Sequence, residues 1–523
     1  MYPGINGSLL GEKPAYIMAS TGESVSHSEL NDRSNKLAQF LREKGLGPGD
    51  SIALCMENNV HFLEITWAAQ RSGLYYTPIS SRMGLDEVAY IVNDCNAKVF
   101  IVSQDVIEKL SGLPELCPKV DSFLVCDSAG NPANKNVLQS PMVNYEDTIA
   151  KYPNRPIDNE IEGSDLLYSS GTTGKPKGVR LVKENQPIGT PDAVVMLLKF
   201  LYQATDKSTY LTPAPLYHAA PLRFTMAFTR IGGTVIIMDH FEPTEYLSLV
   251  GRYQVTHTQL VPTMFVRMLK LDEQVRKSFD VSCLKCAIHA SAPCPTEIKR
   301  EMINWWGPVL YEYYAGTESN GFVACNSQEW LAHPGTVGKS LLGTIHITDE
   351  EENELAKGED GTIWFEMDGQ GFEYLNDAEK TSGSRSKQGW TTLGDVGHLD
   401  SDGFLYLTDR KAYMIISGGV NIYPQECENE LINHPKVLDC AVFGVPDSEM
   451  GEQVKAVVEL LDPTDASEEL KTELLQYCRS KLAHYKCPKT IDFTDQLPRY
   501  PNGKLYKRLL RDPYWKGRTS KII

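Results

Sequence analysis

The densest chemical signal in the chain is the run DLLYSSGTTGKPKGVRLV, from Asp165 to Val182. Ser169, Ser170, Gly171, Thr172, Thr173, Gly174 and Lys177 stand at its centre. Glycines let consecutive backbone N–H groups converge on an anion, while hydroxyls add donors and lysines add charge. That combination suits a polyphosphate. It is not the Gly-x4-Gly-Lys-Ser/Thr loop, because an apolar strand pattern, rather than a helix, follows it. A flexible hairpin turn is the plain alternative, and the hydroxyls and lysines woven between the glycines weigh against it.

Other candidates are weaker alone. In LYEYYAGTESNG, Tyr314 can stack on a base, Thr317 can donate to a phosphate and Glu318 can offer oxygen to Mg²⁺. A solvated turn is the default reading there. In TLGDVGHLDSDGFLYLTDR, Asp395 at a strand end offers two acceptor oxygens to ribose hydroxyls, with Arg410 as a donor. A structural ion pair between them is the alternative, and Asp402-Gly403 needs only a hairpin turn. Lys504 and Arg508 in LPRYPNGKLYKR read, in isolation, as a basic tail. His218 in LTPAPLYHAAPL reads as a structural histidine. Cys283 and Cys286 lack the second ligand pair that a zinc site requires.

The elements that must position these residues alternate between strand and helix patterns, which predicts an α/β architecture. Ser26 and Glu29 sit at capping-box spacing before an amphipathic helix that stops at Gly45. DSIALCM, AKVFIVS and SFLVCD read as short buried strands, and a strand through Leu166 and Leu167 enters the glycine-rich run. The last hundred or so residues read as a separate α+β unit. It comprises a helix from Pro424, two strands, and a helix with Leu470, Leu474, Cys478 and Leu482 on one stripe. A boundary between residues 410 and 411 follows.

The chain has 523 residues and a formal net charge of −17, which argues against a duplex nucleic-acid binder. No apolar run reaches the ~20 residues of a transmembrane helix. The start lacks a basic and then apolar leader, so a cytoplasmic protein with reduced thiols is expected. A homodimer is left open as the assembly.

The glycine-rich run resembles the phosphate loop of the AMP-forming adenylating enzymes: acyl-CoA synthetases, luciferases and peptide-synthetase adenylation domains. The flank VKENQP departs from the Ser-His usual there. The Tyr-x-x-Thr-Glu spacing, Asp395 with Arg410, and Lys504 in a Gly-Lys-x-x-x-Arg setting follow in the family's order. EYLNDAEKTSGS resembles a further motif, Tyr-x-Asn-x-x-Glu-x-Thr, to which no chemistry is assigned. The resemblance implies a large N-terminal domain of α/β subdomains with a β-rich part (1–410) and a small mobile α+β domain (411–523). It implies ATP, Mg²⁺ and coenzyme A as ligands, with Gly316 at the nucleotide and acyl group and His218 bordering an acyl pocket. Tyr314 would lie on adenine, Thr317 on the α-phosphate, Glu318 on magnesium and Lys504 between carboxylate and α-phosphate. Lys411 and Ala412 would mark the joint, where Ala412 replaces a usual polar residue. Gly418 and Gly419 would line a thiol tunnel after rotation.

The leading expectation is an AMP-forming acyl-CoA ligase, most like fatty-acid or steroid-acid ligases, acting on a small-molecule carboxylic acid. A carrier-protein phosphopantetheine loaded in trans is the alternative acceptor. A non-catalytic nucleotide-binding regulator is disfavoured by Thr317, Glu318, Asp395 and Lys504.

Overall fold

The computed structural model describes residues 1–128, 140–169, 176–182, 185–368, 371–410, 413–418, 420–447, 449–499 and 504–516, with Ser169 and Arg410 described by backbone alone. The fold is α/β, with a large N-terminal domain and a smaller C-terminal domain.

Short runs of apolar residues become an all-parallel sheet. Its six strands lie in the order Met142–Asn144, Ser122–Cys126, Ala97–Ser103, Ser51–Cys55, Tyr75–Ile79, Ser164–Asp165. Such a sheet is covered on both faces, which is why its central strands lack polar alternation. A nine-stranded sheet stands beside it, parallel through the centre from Leu310–Tyr314 to Pro14–Met18 and antiparallel at both edges. Residues of both sheets share one core with the helices Phe62–Arg71 and Ala219–Ile231. Trp67 Nε1 ties these helices together by donating to Thr229 Oγ1 at 3.1 Å. All ten residues of Phe62–Arg71 are buried, so its charges must be paired. Glu64 meets Arg33, and Arg71 lies 2.7 Å from Glu160.

The predicted helix start is present in full. Ser26 Oγ accepts from Glu29 N–H at 3.1 Å, and Glu29 Oε2 accepts from Ser26 N–H at 2.8 Å, ahead of helix His27–Glu43. The strand predicted through Leu166 and Leu167 is instead two strands. Leu166 N–H still bonds to Tyr76 in the parallel sheet, and the chain then leaves it. Leu167–Ser169 pairs antiparallel with Lys177–Leu181, which continues to Phe372–Tyr374. The break places the glycine-rich run at a corner between two sheets.

A four-stranded antiparallel sheet, Thr344–Thr348, Gly361–Glu366, Asp395–Leu399 and Leu405–Arg410, leads toward the C-terminal domain. There, Val437–Asp447 and Gly451–Leu460 form a long antiparallel pair. Helices Pro424–Leu431 and Glu468–Lys481 pack with the resulting sheet. Leu470, Leu474 and Cys478 are buried as their stripe predicts. Leu482 is not part of that helix: its backbone is extended one residue past the end. All twelve cysteines are free thiols, Cys283 and Cys286 included. Among the described residues, no helix is long and apolar enough to cross a membrane.

Candidate active site

Strand Leu310–Tyr314 ends at the turn that carries Gly316, Thr317 and Glu318. Tyr314 O–H donates to Asp395 Oδ2 at 2.7 Å, which joins two motifs 81 residues apart. Asp395 is buried and opens the strand Asp395–Leu399, directly opposite Arg410 in the antiparallel register. The backbone therefore presents Asp395 and Arg410 at one sheet position. A Cβ on Gly316 would stand 2.7 Å from Glu318 Oε2 and 2.8 Å from Leu393 Cδ1, so any side chain there would displace that carboxylate or the leucine.

Two supports of this turn escaped the sequence reading. Arg223, from helix Ala219–Ile231, donates to Asp165 Oδ2 at 2.8 Å and to the Thr317 carbonyl at 3.2 Å. Burial opposes the Arg223 charge, but the Asp165 carboxylate more than offsets it and keeps the guanidinium protonated. The second support is Tyr374, whose O–H donates to Glu318 Oε1 at 2.9 Å. Tyr374 belongs to the EYLNDAEKT segment, which carried no assigned chemistry. Neither Arg223 nor Tyr374 follows a spacing rule relative to its partner; only the fold joins them.

Ser170, Gly171, Thr172, Thr173 and Gly174 lie outside the described residues, as does the side chain of Ser169. The flanks are informative. Ser169 and Lys177 face each other across the antiparallel pair, so both ends of the run meet at one place. Lys177 Nζ stands 3.8 Å from Asp377 Oδ2. Glu318 offers a hard carboxylate oxygen on the same wall, and one or two carboxylates plus substrate phosphates are what Mg²⁺ commonly takes. The donor chemistry therefore fits magnesium. A different group of potential donors, His61, Glu64 and Glu146, is crossed by the Arg33 guanidinium, which pairs with both carboxylates.

The C-terminal domain contributes Lys504. Its charge is felt at His218, the residue that precedes helix Ala219–Ile231. His218 is pushed down to about 3, first by burial and then by the nearby Lys504 and Arg82 cations. Its imidazole is neutral, and its Nε2 is buried without a hydrogen-bond partner among the described residues. The Lys504 segment is held from both sides. Arg499 pairs with Asp439 upstream, and buried Lys507 stands 2.7 Å from Glu428 Oε1 downstream. Glu428 Oε1 also accepts from Val442 N–H at 2.7 Å. Arg508 pairs with Asp512 at 3.1 Å.

Lys411, Ala412 and Gly419 lie outside the described residues. Asp409, just before the expected joint, accepts from Gln425 N–H at 3.1 Å in the first turn of helix Pro424–Leu431. Gly418 has φ +58° in the hairpin between Ile415–Ser417 and Val420–Ile422, and its N–H donates to Met450 O at 2.8 Å. His289 is fully buried at the end of strand Cys286–His289, 3.7 Å from Glu312.

Comparison with known proteins agrees with this geometry. The AMP-binding enzyme family matches residues 8–375, and the AMP-binding enzyme C-terminal domain matches residues 426–504. The chain is 30% identical to the long-chain-fatty-acid–CoA ligase FadD13 of Mycobacterium tuberculosis, over 96% of this chain and 95% of that protein. It is 32% identical to a feruloyl-CoA synthase of an Amycolatopsis species, over 94% of each. It superposes on ATP-bound MatB from Rhodopseudomonas palustris with a TM-score of 0.81 at 26% identity, covering 99% of both chains. The motifs, the fold and these matches together establish that the chain belongs to the AMP-binding enzyme family.

Proposed function

We propose that the protein is an AMP-forming acyl-CoA ligase. It would join a carboxylic acid to the α-phosphorus of ATP, expel pyrophosphate, and then pass the acyl group to coenzyme A. The observation that supports this most is the joining of three motifs at one place, Tyr314 to Asp395 at 2.7 Å and Tyr374 to Glu318 at 2.9 Å, with the Lys504 charge felt at His218 nearby.

No protein nucleophile is needed for the first step, because the substrate carboxylate attacks phosphorus. The work is in-line positioning and charge neutralisation. Tyr314 presents a ring to adenine, while Asp395 and Arg410 hold ribose. Thr317, on a turn fixed by Arg223, meets the α-phosphate. Magnesium, when bound at Glu318, neutralises phosphate oxygens. Lys504 offsets the repulsion between carboxylate and phosphate as they approach. Its neighbour His218 is neutral, so it borders the acyl group without adding a second cation.

The second step needs a path for a thiol, whose free pKa near ~8.5 leaves little thiolate at neutral pH. The mixed anhydride supplies the reactivity. Rotation about Lys411 and Ala412, at a boundary between residues 410 and 411, would withdraw Lys504 and bring Gly418 and Gly419 to the channel. The relatives named for long-chain fatty acids and for a feruloyl group support a non-amino acid, fatty or aromatic, as substrate.

The test is AMP release from ATP across a panel of carboxylates with free coenzyme A. AMP formation that requires both a carboxylate and coenzyme A is expected. Release only with a phosphopantetheinylated carrier protein would replace coenzyme A as acceptor, and no release under either condition would sink the reading.

A further inference from the structure

The EYLNDAEKTSGS segment is brought by the fold to the phosphate side of the site. Strand Phe372–Tyr374 pairs with Lys177–Leu181, with Tyr374 opposite Val179. The short helix Ala378–Gly383 follows, and its Lys380 ammonium turns back over the Tyr374 ring, 4.4 Å from the centroid. Asp377 joins Lys380 to Lys177: its Oδ1 accepts from Lys380 N–H at 3.0 Å and its Oδ2 stands 3.8 Å from Lys177 Nζ, so the two ammonium groups border one corner and each opposes the other's charge. The nearby carboxylates are Asp377, 3.8 Å from Lys177, and Glu318, already bonded to the Tyr374 hydroxyl. Burial first, and then Lys177, hold the Lys380 ammonium down to about 8.

Two ammonium groups have donors only, so they cannot satisfy each other while charged. Repulsion between them is relieved by an anion that offers oxygens to both. Lys177 stands where the strand leaves the glycine-rich run, and Glu318 marks the magnesium position on the same wall. A polyphosphate is the anion of matching size and charge.

We propose that Lys380, acting with Lys177, binds the β- and γ-phosphates of ATP and then the departing pyrophosphate. This rests on the adenylation reading above. In that step the carboxylate oxygen bonds to the α-phosphorus and the bond to the bridging oxygen breaks. The electron pair of that bond leaves on pyrophosphate, so new negative charge appears on the side of Lys177 and Lys380. Lys504 serves the attacking carboxylate, and Lys380 serves the leaving group.

The test is calorimetric titration of the full-length protein with inorganic tripolyphosphate and, separately, with AMP, in magnesium buffer. Lys380→Met, which keeps the stem and removes the charge, is expected to weaken tripolyphosphate about tenfold or more. AMP affinity should stay at the wild-type value, and Lys380→Arg should retain most of the tripolyphosphate affinity. Product inhibition by pyrophosphate should weaken in Lys380→Met by the same factor. Unchanged tripolyphosphate binding in Lys380→Met, or no measurable binding by the wild-type protein, would overturn the proposal. So would an equal loss of AMP and tripolyphosphate affinity, which would make Lys380 only a support for Tyr374 and Glu318. If the wild-type protein forms no AMP with any carboxylate, the ligase reading fails, and the titrations still decide Lys380 by themselves.

Discussion

The proposed nucleotide face and the Lys504 arm are built on opposite plans. Tyr314, Gly316, Thr317, Glu318 and Asp395 stand at the ends of strands within the N-terminal domain, held by short internal bonds from Tyr374 and Arg223. Lys504 stands on a segment clamped to strand Val437–Asp447 by Arg499–Asp439 and to helix Pro424–Leu431 by Lys507–Glu428. It meets the rest of the site only because these elements are docked where they are. The first region is pre-organised by its own core. The second is clamped within its own domain, which the proposed rotation would move as a body. The contrast suits two successive reactions, in which one wall keeps the nucleotide while the other is exchanged.

Breaking the arm should give the largest effect. Lys504→Ala is expected to slow adenylation by roughly a hundredfold or more, the size of losing one pre-organised charge-stabilising donor. AMP affinity and thioester formation from preformed acyl-adenylate should change little. Comparable slowing of both half-reactions would erase the distinction between the two regions.

Breaking the nucleotide face should act on binding. Asp395→Ala removes the proposed ribose acceptor and the carboxylate that accepts from the Tyr314 hydroxyl, so AMP affinity should drop by roughly ten- to a hundredfold. Equilibrium titration with AMP checks this. An unchanged affinity would leave Asp395 as a structural partner of Tyr314.

A smaller effect is expected from the neutral imidazole between the two regions. His218 titrates near 3 in the folded chain and near ~6.5 when unfolded, so the unfolded chain binds the extra proton. Its contribution to stability is present above pH ~6.5 and is lost as pH falls from there toward 3. His218→Leu should therefore reduce the fall in stability between pH 6.5 and 5 by up to about 1–2 kcal/mol, read from urea unfolding. An equal slope in both proteins would contradict the buried neutral state.

The smallest change sharpens the docking itself. Asp409→Ala removes the acceptor for Gln425 N–H and should lower stability by about 1 kcal/mol, with faster amide exchange at Gln425. Protection of that amide at wild-type level would show that the contact does not hold the helix.

What the amino-acid sequence determined by itself is local. The capping box at Ser26 and Glu29, the helix from Pro424 and the apolar strands of the parallel sheet depend on neighbours a few residues apart. The same holds for the glycine-rich run, the Thr317–Glu318 turn, Asp395 and Lys504, whose spacings within short motifs carry the family resemblance. Tertiary structure alone decided what lies between motifs. It split the strand at Leu166, because one half pairs with Tyr75–Ile79 and the other with Lys177–Leu181. It put Tyr374 on Glu318, Arg223 on Thr317 and Lys177 beside Asp377, joining residues from separate segments of the chain. Periodicity and capping act over a turn or a strand. Such pairings depend instead on how whole sheets pack, and a side chain's nearest charge there is chosen by topology rather than by sequence distance.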